Sequence, residues 1–108
     1  LGATFLRATT TTPDYRLFAL PGGPPARPGL IRVADGGATI ALEVWSLPPE
    51  GFGRFVAGIP SPLGIGTLAL ADGTRVKGFL CETIATEGAR DVTQHGGWRA
   101  FIAAQAAA

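Results

Sequence analysis

An α+β domain built on a small curled sheet or barrel, with short helices at its edge, is the fold class this sequence predicts. Sixteen glycines and nine prolines in 108 residues punctuate the chain too often for long helices, so strands and turns must be short. The apolar fraction of 46% supports one buried core, and the length is too small for a second. Short β-rich runs lie between Gly- and Asp-containing turns, whereas helical spacing recurs in only a few short stretches.

Thr4 to Thr12 is rich in β-branched residues and stops at the turn signal Pro13-Asp14. Tyr15 to Leu20 follows, before Pro21-Gly22-Gly23-Pro24-Pro25. These are two strands and a rigid loop. Gly29 to Val33 and Thr39 to Ser46 flank Ala34-Asp35-Gly36-Gly37, where glycine accepts the positive φ of a tight turn, and predict a hairpin. Phe52, Phe55, Val56 and Ile59 form the apolar stripe of a short helix opened by Pro48-Pro49. Its glycines each cost about 1 kcal/mol relative to alanine, so packing must hold it. Gly66 to Ala71 and Thr74 to Cys81, around Asp72-Gly73, predict a second hairpin, and Ile84 to Gly88 one helical turn. Gly97 to Ala106 places Trp98, Phe101 and Ile102 on one helical face with Thr93 as cap. Ala103 to Ala108 reads as that helix fraying into disorder. Six or so strands and two or three short helices result, in a single domain over residues 1–108.

Composition narrows the function. Nine Lys plus Arg against eight Asp plus Glu leave a charge of +1, without the basic cluster that nucleic-acid binding requires. No apolar run approaches the roughly 20 residues that span a bilayer. Neither nucleic acid nor membrane is therefore an expected partner. Cys81 has no disulfide partner, and no Cys/His spacing suits zinc, so neither a metal nor another cofactor is expected and a reducing cytoplasm suits the chain.

Glu43 shares a strand face with Ala41 and Trp45, opposite the aliphatic Ile40, Leu42 and Val44. If that mixed face lines a pocket, Glu43 is a general acid or base raised by desolvation; if it meets water, it is an ordinary outward residue. Lys77, the chain's lone lysine, is either a carboxylate anchor or a solvated edge-strand lysine. Arg16, Arg32 and Arg54 are carboxylate clamps by geometry, since guanidinium donates two parallel bonds. His95, the sole imidazole, reads as an exposed loop residue, with proton transfer beside Gly96-Gly97 as the competing reading. Cys81 reads as buried filler. The uncharged run Ile59 to Gly66 is either a pocket wall or a stiff connection.

Taken together, TTTTPDYRLFAL at Thr9 to Leu20, VWSL at Val44 to Leu47, FVAGIPSPLGIG at Phe55 to Gly66, DGTRVKGFLCE at Asp72 to Glu82 and DVTQHGGWRAF at Asp91 to Phe101 resemble the carboxy-terminal domain of allophanate hydrolase. The resemblance covers nearly the whole chain. It implies a γ-glutamylcyclotransferase-like fold, a small mixed β-barrel with short peripheral helices. It also implies a place in urea or s-triazine degradation, where an amino-terminal amidase domain with a Ser-Ser-Lys triad opens allophanate. This module would then decarboxylate the product, N-carboxycarbamate, or serve assembly without catalysis. The implied partners are a small dicarboxylate-like substrate, the amidase domain of the same polypeptide and a second copy in a homodimer. Tyr15, Arg16, Arg32 and Lys77 are assigned to anchoring the substrate, with Ser61 in the wall.

Two departures from the family pattern qualify these expectations. Family members open with a strand and a glycine-rich loop resembling Gly-Ala-His-Leu-Ser-Gly, and this chain is expected to begin after it, with Leu1-Gly2 consistent with a splice. The loop's histidine, expected to be the proton donor, is not replaced by His95, which lies in the motif at the other end of the domain. True γ-glutamylcyclotransferases carry a glutamate in the stretch corresponding to Phe55 to Leu63, which here has no acid, so that activity is not expected.

Overall fold

Seven strands and two helices make up a computed structural model that describes residues 2–22 and 26–107. In chain order the strands are β1 (Thr4–Thr10), β2 (Tyr15–Leu20), β3 (Arg27–Arg32) and β4 (Ala41–Ser46). Helix α1 (Pro49–Ala57) follows, then β5 (Leu63–Ala69), β6 (Arg75–Cys81), the two-residue β7 (Arg90–Asp91) and α2 (Trp98–Ala107). Single 3-10 turns occupy Thr83–Thr86 and Thr93–His95. The strands form three antiparallel sheets, β1-β4, β3-β2-β7 and β5-β6. The α+β class is observed, but these sheets do not close into the barrel expected.

The second hairpin forms as expected. Gly73 takes φ +88°, and Leu70 and Thr74 close the turn through a 2.9 Å N–H···O bond. In the ladder behind it Gly66 faces Gly78. A Cβ on Gly66 would lie 2.5 Å from Leu80 Cδ1, and one on Gly78 3.0 Å from Leu68 Cδ1, so the paired glycines let two leucines fold down over the strands. Leu68 thereby reaches the core cluster with Tyr15, Leu17, Ile40, Val92 and Phe101.

The first hairpin does not form. β3 pairs with β2, from Tyr15↔Arg32 to Leu20↔Arg27, while β4 pairs with β1. The turn signal at Ala34 to Gly37 is real, but it hands the chain from one sheet to another. A Cβ on Gly37 would lie 2.7 Å from the Asp14 carbonyl carbon, so glycine permits the loop to press against the Pro13-Asp14 turn. Val33 N–H donates to Asp14 O at 2.8 Å, and Ala38 exchanges two backbone bonds with Tyr15. That docking carries β4 past β3 to β1. Most of the rigid loop expected at Pro21 to Pro25 lies outside the described residues, as does Leu1.

Where sheets meet, their ladders run out and side-chain hydroxyls take over. Thr11 is fully buried; its Oγ1 accepts from Ile40 N–H at 3.0 Å and donates to Thr12 O at 2.8 Å. The equally buried Tyr15 accepts from Ala69 N–H at 3.0 Å. Thr93 Oγ1 accepts from Leu17 N–H at 2.9 Å, continuing the short β7 ladder. Thr93 is thus a bridge between elements instead of the expected cap of α2. The start of α2 is set by Gly96, at φ +75°, and by Gly97, whose absent Cβ would meet Ala41 Cβ at 3.1 Å. Its alanine-rich end stays helical through Ala107 where fraying was expected, consistent with alanine's helix propensity; Ala108 is outside the described residues.

Removing one hydroxyl leaves a buried backbone N–H without its acceptor, at a cost of about 1–3 kcal/mol. Tyr15→Phe and Thr93→Val should each lower unfolding free energy by that amount in urea titrations. Exposed Thr39→Val should change it by less than about 0.5 kcal/mol.

Candidate functional site

A largely apolar cleft of about 800 Å³ opens between the β1-β4 ribbon, α1 and the β5-β6 ribbon. Its aromatic wall follows from the fold. The α1 stripe brings Phe52 and Phe55 to face β6, where Phe55 and Phe79 pack with centroids 5.0 Å apart. A bulge in β1 leaves Leu6 between the register pairs Phe5↔Trp45 and Arg7↔Val44 and turns it into the cleft. Phe5 and Trp45 meet edge to face at 5.5 Å.

Among the described residues, the charged ones that line this hollow are Glu43 and Lys77. Lys77 faces Thr67 across the ladder, and its Nζ donates to Thr67 Oγ1 at 2.7 Å. An ammonium has three donors, so two remain for a ligand. Glu43 lies on the mixed face of β4, whose other face is buried at Ile40 and Val44, as the alternation predicts. Its Oε1 accepts from Trp45 Nε1 at 3.2 Å, and its Oε2 lies 3.0 Å from Arg99 Nη2. Glu43 thus accepts at one carboxylate oxygen from an indole and faces a guanidinium at the other. A smaller hollow of about 640 Å³ shares Glu43 and is also lined by His95 and Arg99. His95 is half-buried with its ring edge-on to Phe101 at 5.3 Å, not the exposed loop residue expected.

The other sequence candidates stand apart from the cleft. Tyr15 is wholly buried and its hydroxyl serves Ala69, so it cannot touch a ligand there. Arg16 Nε lies 2.7 Å from Asp91 Oδ2 and another guanidinium nitrogen donates to Gly36 O; it straps β2 to β7 and to the 34–37 loop. Arg32, Arg54 and Ser61 are exposed and lie outside the cleft lining. Cys81 is half-buried, and burial pushes its thiol up, away from nucleophilic use.

Sequence reasoning missed Arg99 and the aromatic wall. Arg99 stands in the string GGWR, a signal by motif alone, because its partner Glu43 lies on a distant strand. The wall depended on how α1 and the two ribbons pack, which no local spacing reveals.

Fold and cleft together define a small α+β domain with one face hollowed by an open apolar cleft. The chain belongs to the allophanate hydrolase C-terminal domain family, whose model matches residues 1–103. It is 47% identical over 106 residues to urea amidolyase of Saccharomyces cerevisiae, covering 94% of this chain and 6% of that protein. Allophanate hydrolase of Kluyveromyces lactis superposes with a TM-score of 0.88 at 46% identity, over 93% of this chain and 17% of that one. A uropathogenic E. coli-specific protein, c4763, superposes with a TM-score of 0.85 at 38% identity, over 94% and 77%. The chain therefore spans a small fraction of the curated relatives it matches.

The apolar wall should bind 1-anilinonaphthalene-8-sulfonate with enhanced fluorescence, and Phe79→Asp should abolish the enhancement without altering far-UV circular dichroism. Stability should also follow the carboxylates outside the cleft. Burial pushes Asp91 upward, but bonds from Arg16 and Thr93 outweigh it and hold its carboxyl below the ordinary value. Thr74 and then Arg7 lower Asp72. A depressed folded-state value means that the unfolded chain takes up the proton first. Stability is then full above about pH 5 and falls progressively below about pH 4. Urea midpoints should fall over that range, and fall less in Asp91→Asn.

Proposed function

We propose that this chain is the decarboxylating module of an allophanate hydrolase in urea degradation, acting in the cytoplasm on the N-carboxycarbamate released by an amidase domain. The observation that carries this reading is that one lysine and one glutamate line the same, otherwise largely apolar cleft. N-carboxycarbamate offers a carboxylate at each end and an N–H between them. Lys77 takes a carboxylate with its two unused donors, and Glu43, arranged as an acceptor, receives the central N–H. The C–N bond to one carboxylate then breaks, its electrons pass to nitrogen, carbon dioxide leaves, and water entering the open cleft donates the proton that converts the nitrogen anion to carbamate, leaving hydroxide. Holding the other carboxylate at Lys77 leaves the departing one toward the apolar wall, where loss of charge is favoured over solvation.

A second reading, a non-catalytic assembly module, is favoured by the patch of Phe5, Leu6 and Trp45, each about half exposed on the β1-β4 ribbon. Patches of this kind mark protein contacts, and an amidase domain or a second copy of the chain would cover it.

The two readings separate by assay. With N-carboxycarbamate generated in situ from allophanate by an amidase, this chain should raise carbon dioxide release above the spontaneous rate. Lys77→Ala should lower kcat/KM at least about tenfold, the worth of a charge-assisted bond. Release at the spontaneous rate overturns the catalytic reading. A change in the sedimentation of the amidase on adding the chain supports the assembly role.

A further inference from the structure

We propose that Arg99 is a positioning residue of the cleft, whose guanidinium compensates and orients the Glu43 carboxylate so that a dicarboxylate can bind beside it at Lys77. This rests on the reading of the cleft as a dicarboxylate site. Arg99 itself lines only the smaller hollow, whereas Glu43 lines both. Arg99 therefore acts through Glu43 and touches no ligand in the cleft. Its side chain is 86% exposed against 30% for Glu43, which places the positive charge on the solvent side of the negative one.

The need for such a group follows from charge. A dicarboxylate entering this largely apolar hollow meets the negative charge of Glu43, and an uncompensated carboxylate would repel it. The bond at 3.0 Å from Arg99 to Oε2 offsets that charge, and the indole N–H at 3.2 Å on Oε1 fixes the plane of the carboxylate. The Arg99 contact depends on how α2 is seated, whereas the indole bond lies within β4. Ala41 N–H donates to Gly96 O at 2.7 Å, and Gly97 approaches Ala41 so closely that an added Cβ would lie 3.1 Å from Ala41 Cβ. The first turn of α2 is thereby placed two residues along β4 from Glu43. Gly96 to Arg99 act as one device, in which the glycines give the backbone approach and the arginine gives the charge.

Malonate, a stable dicarboxylate, is the probe, titrated by calorimetry into the 108-residue chain. The Trp45 indole N–H is followed by nitrogen-15 NMR and assigned with Trp45→Phe. Arg99→Gln should weaken malonate about fivefold, the upper range for a partly exposed pair, and shift the Trp45 indole signal. Arg99→Lys should recover most of the affinity. The double variant Glu43→Gln, Arg99→Gln should bind malonate within about twofold of wild type, because malonate carries a methylene where the substrate has its N–H and so makes no bond to Glu43, and removing the carboxylate removes the need for its compensation. That recovery separates charge compensation from simple loss of structure. If malonate binds wild type, Lys77→Ala abolishes binding and Arg99→Gln binds as wild type does, the role of Arg99 is overturned while the cleft reading stands. Arg99→Gln weakening that the double variant does not relieve also overturns it. Absence of saturable malonate binding to wild type overturns the cleft reading, and the role of Arg99 with it.

Discussion

Every backbone N–H at a junction between sheets must find an acceptor, and this domain meets that demand with side-chain hydroxyls. Two- and three-stranded sheets run out of ladder partners quickly, and a buried N–H left over costs more than most single packing contacts contribute. Ile40, Ala69 and Leu17 present such groups, and Thr11, Tyr15 and Thr93 answer them. The three hydroxyls come from the β1-β2 connection, from β2 and from the turn before α2. They tie all three sheets around Leu17, Ile40, Leu68 and Phe101. Burial of apolar surface drives the collapse, but these bonds select which edges meet.

The cleft follows from the same arrangement. Because the β1-β4 and β5-β6 ribbons meet at the Thr11↔Leu70 bridge and not along their length, a gap remains between them, and α1 roofs it with aromatic side chains. Glycines shape its edges. Gly66 and Gly78 draw the leucines of β5 and β6 inward, leaving Lys77 on the alternate face with Thr67. Gly97 seats α2 against Ala41, so Arg99 reaches Glu43. The family strings GIG, KGF and GGWR thus place the chemistry through close backbone and side-chain approach as much as through the polar residues they contain.

What was legible depended on the range of the interaction. Asp72-Gly73 predicted its hairpin because both strands lie within a few residues of the turn. Pro48-Pro49 and the stripe from Phe52 predicted α1 for the same reason. Asp35-Gly36-Gly37 carried an equally strong turn signal and yielded no hairpin, because Gly37 docks on Asp14 and Tyr15 engages Ala38, contacts more than twenty residues apart in sequence. At the site, the alternation through β4 correctly placed Glu43 opposite the aliphatic face, and the isolation of Lys77 singled it out. Tyr15 and Arg16 look like anion anchors by residue type, yet each is consumed by structure, one in the core and one on Asp91.

By itself the sequence determined the α+β class, the single core, the local turns and helices, and membership of the allophanate hydrolase C-terminal domain family. Each rests on composition, periodicity or contiguous strings, which are properties of neighbours along the chain. Only the tertiary structure decided that the sheets stay separate, that β4 joins β1, and that Glu43 and Lys77 share a cleft while Arg99 stands behind Glu43. These are meetings between residues far apart in sequence. Their free energy comes from desolvation and backbone hydrogen bonding at junctions that do not exist until the chain has collapsed, so no local pattern encodes them.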